Sequence, residues 1–94
     1  MPEEFAQERM RCTDRLRTMP LAKLPQAADL AFAASLAIVG LTPIANAHQL
    51  PRLADRAAGD QLDVVAGELL AADPDAATLT AATDILTRLR RSLP

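Results

Sequence analysis

An all-α fold, a single-domain bundle of four to five helices spanning residues 1–94, is predicted by three features of the sequence. Ala (20) and Leu (15) supply most of the hydrophobic half of the chain, and both lose little on entering a helix. Val and Ile, the better strand formers, number three each. Apolar residues recur at steps of three and four between prolines and other helix punctuation. The length suffices for one core and no second domain.

The first helix is expected over residues 3–18. Phe5, Cys12, Leu16 and Met19 fall near one face, and Glu3, Glu4 and Glu8 precede Arg9, Arg11, Arg15 and Arg17, the order that the helix dipole favours. Residues 20–25, bounded by two prolines, read as a compact connector. A second helix is expected over 26–40, with Gly40 at its end. Only Asp29 and Ser35 interrupt its apolar character, which makes it the expected hub of the core. Leu30, Phe32, Ala33, Leu36, Ala37 and Val39 are then expected to be mostly buried, and Leu36→Ala to cost about 2–5 kcal/mol.

Thr42 and Pro43 have the form of a cap followed by proline at the first helical position, so a short helix is expected over 43–49. Pro51 restarts the chain in one more turn through Arg56, which Gly59 ends. Asp60 is the expected cap of a helix over 61–72, where Leu62, Val65, Ala66, Leu69 and Leu70 follow an amphipathic pattern. Asp73-Pro74, with Asp75 behind it, is the strongest start signal in the chain and places the N-cap of the last helix at Asp73. Leu79, Ala82, Leu86, Leu89 and Leu93 alternate steps of three and four along that helix, the spacing of a coiled-coil seam, and Ile85 widens the stripe.

Composition narrows the function classes. The net charge is −2, from 10 basic and 12 acidic side chains, whereas a duplex-binding domain needs a positive excess to neutralise phosphates. Cys12 is the one cysteine and has no internal partner, which suits a reducing compartment. The opening MPEEF is acidic where an export signal is basic. The most apolar stretch, residues 30–44, is shorter than the roughly 20 residues that span a bilayer. A cytoplasmic protein without a membrane span is expected.

Recognisable chemistry is sparse. Ser35 and Ser92 lack the glycine-flanked elbow of an exposed nucleophile. Cys12 and His48 have the right types for a thiol and its base, but Cys12 falls on an apolar face, where free cysteine behaves as a small core residue. His48 is the single histidine, and no CxxC or HxxxH spacing exists for zinc. Asp73 and Asp75 lack the acidic ladder of a calcium loop. Gly40, Gly59 and Gly67 make no phosphate-binding loop. The expectation is a protein that is not an enzyme and takes no cofactor or metal.

Two basic clusters, Arg9, Arg11, Arg15 and Arg17 on the first helix and Arg88, Arg90 and Arg91 on the last, form a local positive patch if those helix ends lie together. No aromatic residue neighbours them to stack on bases. Residues 53–65 are loosely patterned like a helix-turn-helix, yet the recognition helix begins with Asp60 and Asp63 and holds no basic residue. Such a helix repels phosphates.

Arg15-Leu-Arg-Thr-Met-Pro-Leu and Arg52-Leu-Ala-Asp-Arg-Ala-Ala-Gly-Asp-Gln-Leu-Asp-Val-Val resemble segments of small helical actinobacterial proteins of unassigned function. The likeness spans about a third of the chain. It implies a helical cytoplasmic protein and assigns no activity, ligand or site.

The leading expectation is a small non-catalytic protein that works through contacts with another protein or with a second copy of itself. The expected interface is Ile85, Arg88, Leu89, Arg91 and Leu93: the last helix overruns the body of so small a domain, Leu89 and Leu93 stay partly exposed, and arginines edge the patch. A two-fold homodimer is the simplest closed form. The runner-up is a nucleic-acid-associated regulator using the terminal arginines. A third reading, a small-molecule carrier, needs a cavity between alanine-rich helices.

Overall fold

The structure, a computed structural model, describes residues 2–41 and 50–94. The helix expected over 43–49, and His48 with it, lie outside the described residues. The order is α1 (Pro2–Arg17), α2 (Leu24–Val39), a single 3-10 turn (Asp55–Ala57), α3 (Ala58–Ala71) and α4 (Ala76–Ser92), with no strand among the described residues. The all-helical bundle follows the expectation.

Packing arranges the four helices as a square. α1 lies against α3 and α4, and α2 lies against α3 and, less extensively, α4. α1 barely touches α2, so these two are diagonal, as are α3 and α4. α1 and α3 run in opposite directions: Arg9 meets Asp63 and Gly67, while Arg17 meets Asp60. The side between α2 and α4 is the loosest of the four.

Small side chains set how closely the helices approach. α2 turns Ala27, Ala28, Ala31, Ala34, Ser35 and Ile38 inward. Phe5, Leu62, Leu69 and Leu86 fill the centre around them and are fully buried. The expected hub face is therefore corrected: Leu30, Phe32 and Val39 are half-buried, and Ala33, Leu36 and Ala37 are exposed. The physical reason lies in the sequence of α2 itself. With apolar residues almost all round, periodicity names no inward face, and the close approach to α3 selects alanines over the bulkier leucines.

Three expected boundary signals also act differently. Gly59 does not end a helix. It lies buried in the first turn of α3, where an added Cβ would stand 3.2 Å from the Leu16 Cβ, so its role is close contact with α1. Asp60 is not the N-cap, because the 3-10 turn runs directly into α3 and the position before the helix is Ala57. Asp60 reaches across to Arg17 instead, 2.9 Å away. Asp73 does not cap α4. It stands beyond the end of α3 with φ +53°, in the left-handed region, and its N–H donates to the Leu70 carbonyl at 3.1 Å. Asp75 caps α4, its Oδ1 accepting from the Thr78 N–H at 2.8 Å.

Arg52 fastens the chain before the 3-10 turn to α2. Its guanidinium lies 2.8 Å from Asp29 and 3.0 Å from Asp55, and 5.7 Å from the centroid of the Phe32 ring. No helix among the described residues is long and apolar enough to cross a membrane.

Candidate interaction surface

The loose side of the square opens as a groove of about 270 Å³ between α2 and α4. Leu30 and Ala33 of α2 face Ile85, Leu89 and Ser92 of α4, and Arg88 is the charged residue of the lining among the described residues. Leu30 and Ile85 pack on the core with one edge still in water. Arg88 is exposed and makes no ion pair among the described residues.

Three of the residues expected at an interface, Ile85, Arg88 and Leu89, thus meet in one place. Arg91 is exposed beyond them. The expected exposure of Leu89 and Leu93 is corrected: they are 5% and 8% exposed. α4 does not overrun the bundle, because α1 covers its last turns. Arg15 donates to the carbonyl oxygens of Leu93 and Pro94, at 3.5 and 3.1 Å, and the Cys12 thiol donates to the Leu86 carbonyl at 3.2 Å. The large apolar side chain left partly in water on α4 is Ile85, which faces α2.

A second groove, of about 340 Å³, lies along the outer side of α3. Leu50 and Leu53 form one wall and Val64 the other, with Asp60 and Glu68 as its charged residues. Val64 is 58% exposed and Leu53 42%. The amphipathic reading of α3 missed this face. Its signal is visible in hindsight as a lone β-branched apolar residue one turn from a carboxylate on each side.

The basic clusters are largely engaged inside the bundle. Arg9 pairs with Asp63 at 2.8 Å, Arg17 with Asp60 at 2.9 Å, and Arg90 holds Glu8 through two hydrogen bonds, with Arg11 3.6 Å from the same carboxylate. The hydrogen bond from Arg90 holds the Glu8 carboxyl below the usual carboxylate range, the charges of Arg90, Arg11 and Arg91 add to it, and burial opposes the shift. Arg15, Arg88 and Arg91 are the members without a carboxylate partner among the described residues.

Cys12 is fully buried, and burial, reinforced by the nearby Glu8 charge, pushes its thiol up to about 11. A thiol so placed is a poor nucleophile at neutral pH. Among the described residues no three His, Cys, Asp or Glu side chains gather to hold a metal ion. Comparison with family models, curated proteins and solved structures returns no match for this chain.

Proposed function

We propose that this chain works by binding another protein chain and catalyses no reaction. The groove between α2 and α4 receives an apolar helix face or strand edge from the partner, and Arg88 meets a carboxylate at its rim. One observation carries the reading: an apolar floor on the loosest side of the bundle, bordered by a guanidinium with no ion-pair partner among the described residues. Apolar patches edged by arginine are typical of such contacts. The engagement of Arg9, Arg17 and Arg90 by carboxylates supports this reading over binding of nucleic acid, since those charges are already spent.

Affinity capture from the native host tests it with two baits besides the natural chain. Ile85→Asp places a charge in the groove, and Met10→Asp places one on exposed α1 surface elsewhere. A partner retained by the natural chain and by Met10→Asp, and lost with Ile85→Asp, is the expected result. Equal recovery on all three baits refutes the groove as the contact.

A further inference from the structure

We infer that copies of this chain associate head to tail, the α2–α4 groove of one copy seating the Val64 face of α3 from the next. The inference rests on the contact function proposed above and names its partner as a second copy.

The two grooves match in character and oppose in charge. Each has an apolar floor, with volumes of about 270 and 340 Å³. Among the described residues Arg88 is the charged lining residue of the first, and Asp60 and Glu68 are those of the second. Asp60 is held by Arg17, but Arg88 and Glu68 make no ion pair among the described residues. Val64 projects between the two carboxylates, one helical turn from each, and is the one large apolar side chain of α3 that is exposed. Across the first groove, Ala33 and Ser92 are small enough to admit it.

Charge decides how the surfaces pair. Joining the α2–α4 groove to itself brings Arg88 and the nearby Arg91 against their own copies. Joining the α3 face to itself opposes carboxylates. Both arrangements set like charges together, which interfaces avoid at a cost of several kcal/mol. Joining one groove to the other brings Arg88 to Glu68 and places Val64 on the apolar floor. The grooves open on different sides of the bundle, because α3 and α4 are diagonal. The contact is therefore heterologous, and each copy keeps one free face of each kind, so association continues past two copies unless a ring closes. This replaces the two-fold homodimer expected from α4 alone.

Sedimentation equilibrium on the full chain, from about 10 μM to about 1 mM, gives the test. The mass rises with concentration from 10.0 kDa to more than twice that value, and added salt lowers it. Arg88→Glu or Glu68→Lys alone weakens association roughly tenfold, and the two together in one chain restore it. Both positions are exposed, so neither change threatens the fold. Three results overturn the inference: a 10.0 kDa species at every concentration, weakening by Arg88→Glu but not by Glu68→Lys, or no recovery in the double variant. If self-association is absent while Ile85→Asp still abolishes capture of another protein, the contact function stands without it. If both fail, the groove has no role in either.

Discussion

Arg90 grips Glu8 from α4 with two hydrogen bonds, Nε to Oε2 at 2.7 Å and Nη2 to Oε1 at 3.1 Å, and so ties the chain's first and last helices together. The residues stand 82 positions apart in sequence, and the Glu8 side chain is only 10% exposed. Beside them the Cys12 thiol hydrogen-bonds the Leu86 carbonyl, so ion pair and thiol brace the same seam.

Glu8→Gln keeps the shape and removes the charge, and its expected cost is about 1–2 kcal/mol, the range for a charge-assisted hydrogen bond at a partly wet site. The pH dependence has a definite sign. The Glu8 carboxyl titrates lower in the folded chain than in the unfolded one, so its contribution is complete above the ordinary carboxylate range and is lost as pH falls through the folded value. Thermal melts in acid should converge for the natural chain and Glu8→Gln. A gap that stays constant down to pH 2–3 argues against the pair as its source.

Cys12 is expected to label slowly with a thiol reagent in the native chain at neutral pH and rapidly in denaturant. The folded thiol is raised from 9.0 to about 11. Since the folded state disfavours the thiolate, stability is intact below pH 9 and declines as pH climbs through 9 towards 11. Fast labelling of the folded protein rejects this account of a buried, structural thiol.

Leu36 and Ile38 separate the two readings of α2. Leu36 is 39% exposed and Ile38 is 0%. Leu36→Ala is now expected to cost less than about 1 kcal/mol, in place of the core-sized loss that the sequence suggests, whereas Ile38→Val should cost about 0.5–1.5 kcal/mol for a single methyl group. Urea titration of both variants decides, and a larger loss at Leu36 reinstates it as a core residue.

How legible each helix was depends on its polar residues. In α1, α3 and α4 most charged and polar side chains crowd the outer face, with Glu8, Thr13 and Thr83 the buried exceptions, so Phe5, Cys12, Leu16, Leu62, Val65, Ala66, Leu69, Leu79, Ala82 and Leu86 are all buried as their spacing implies. α2 lacks that contrast, and its inward face was settled by contact with other helices. The groove between α2 and α4 was half legible for a similar reason. Ile85 and Arg88 could be placed on the last helix, but the cover that α1 lays over Leu93, and the partnership of Ile85 with Leu30, depend on the bundle's arrangement and have no local signature.

Ser35 offers a gain in stability. The residue is 1% exposed, and its hydroxyl has no hydrogen-bond partner among the described residues. A buried polar group left unpaired is costly, and alanine is also the better helix former. Ser35→Ala should therefore stabilise the fold by about 1–2 kcal/mol and raise the melting temperature. A loss of stability would mean that the hydroxyl is paired in solution.

Asp73 and Asp75 are two residues apart, and opposite outcomes are expected of them. Asp73 holds φ +53°, a region that glycine enters freely and that costs an ordinary side chain about 1 kcal/mol or more. Asp73→Gly should leave stability unchanged or raise it, while Asp73→Val, β-branched in the left-handed region, should lower it. Asp75 is extended at φ −70°, ψ 171°, so backbone freedom has no value there, and its carboxylate accepts the Thr78 N–H. Asp75→Ala should therefore lower the melting temperature. Asp75→Asn or Asp75→Ser, which retain an acceptor oxygen, should recover most of the loss. The hydrogen bonds from Thr78 hold the Asp75 carboxyl below its ordinary range. The benefit of Asp75 over Ala is then full above that range and fades as pH falls through the folded value. Melts of Asp73→Ala and Asp75→Ala across acid pH read out both assignments. An acid-sensitive deficit confined to Asp73→Ala would return the cap to the position that the Asp-Pro signal first indicates.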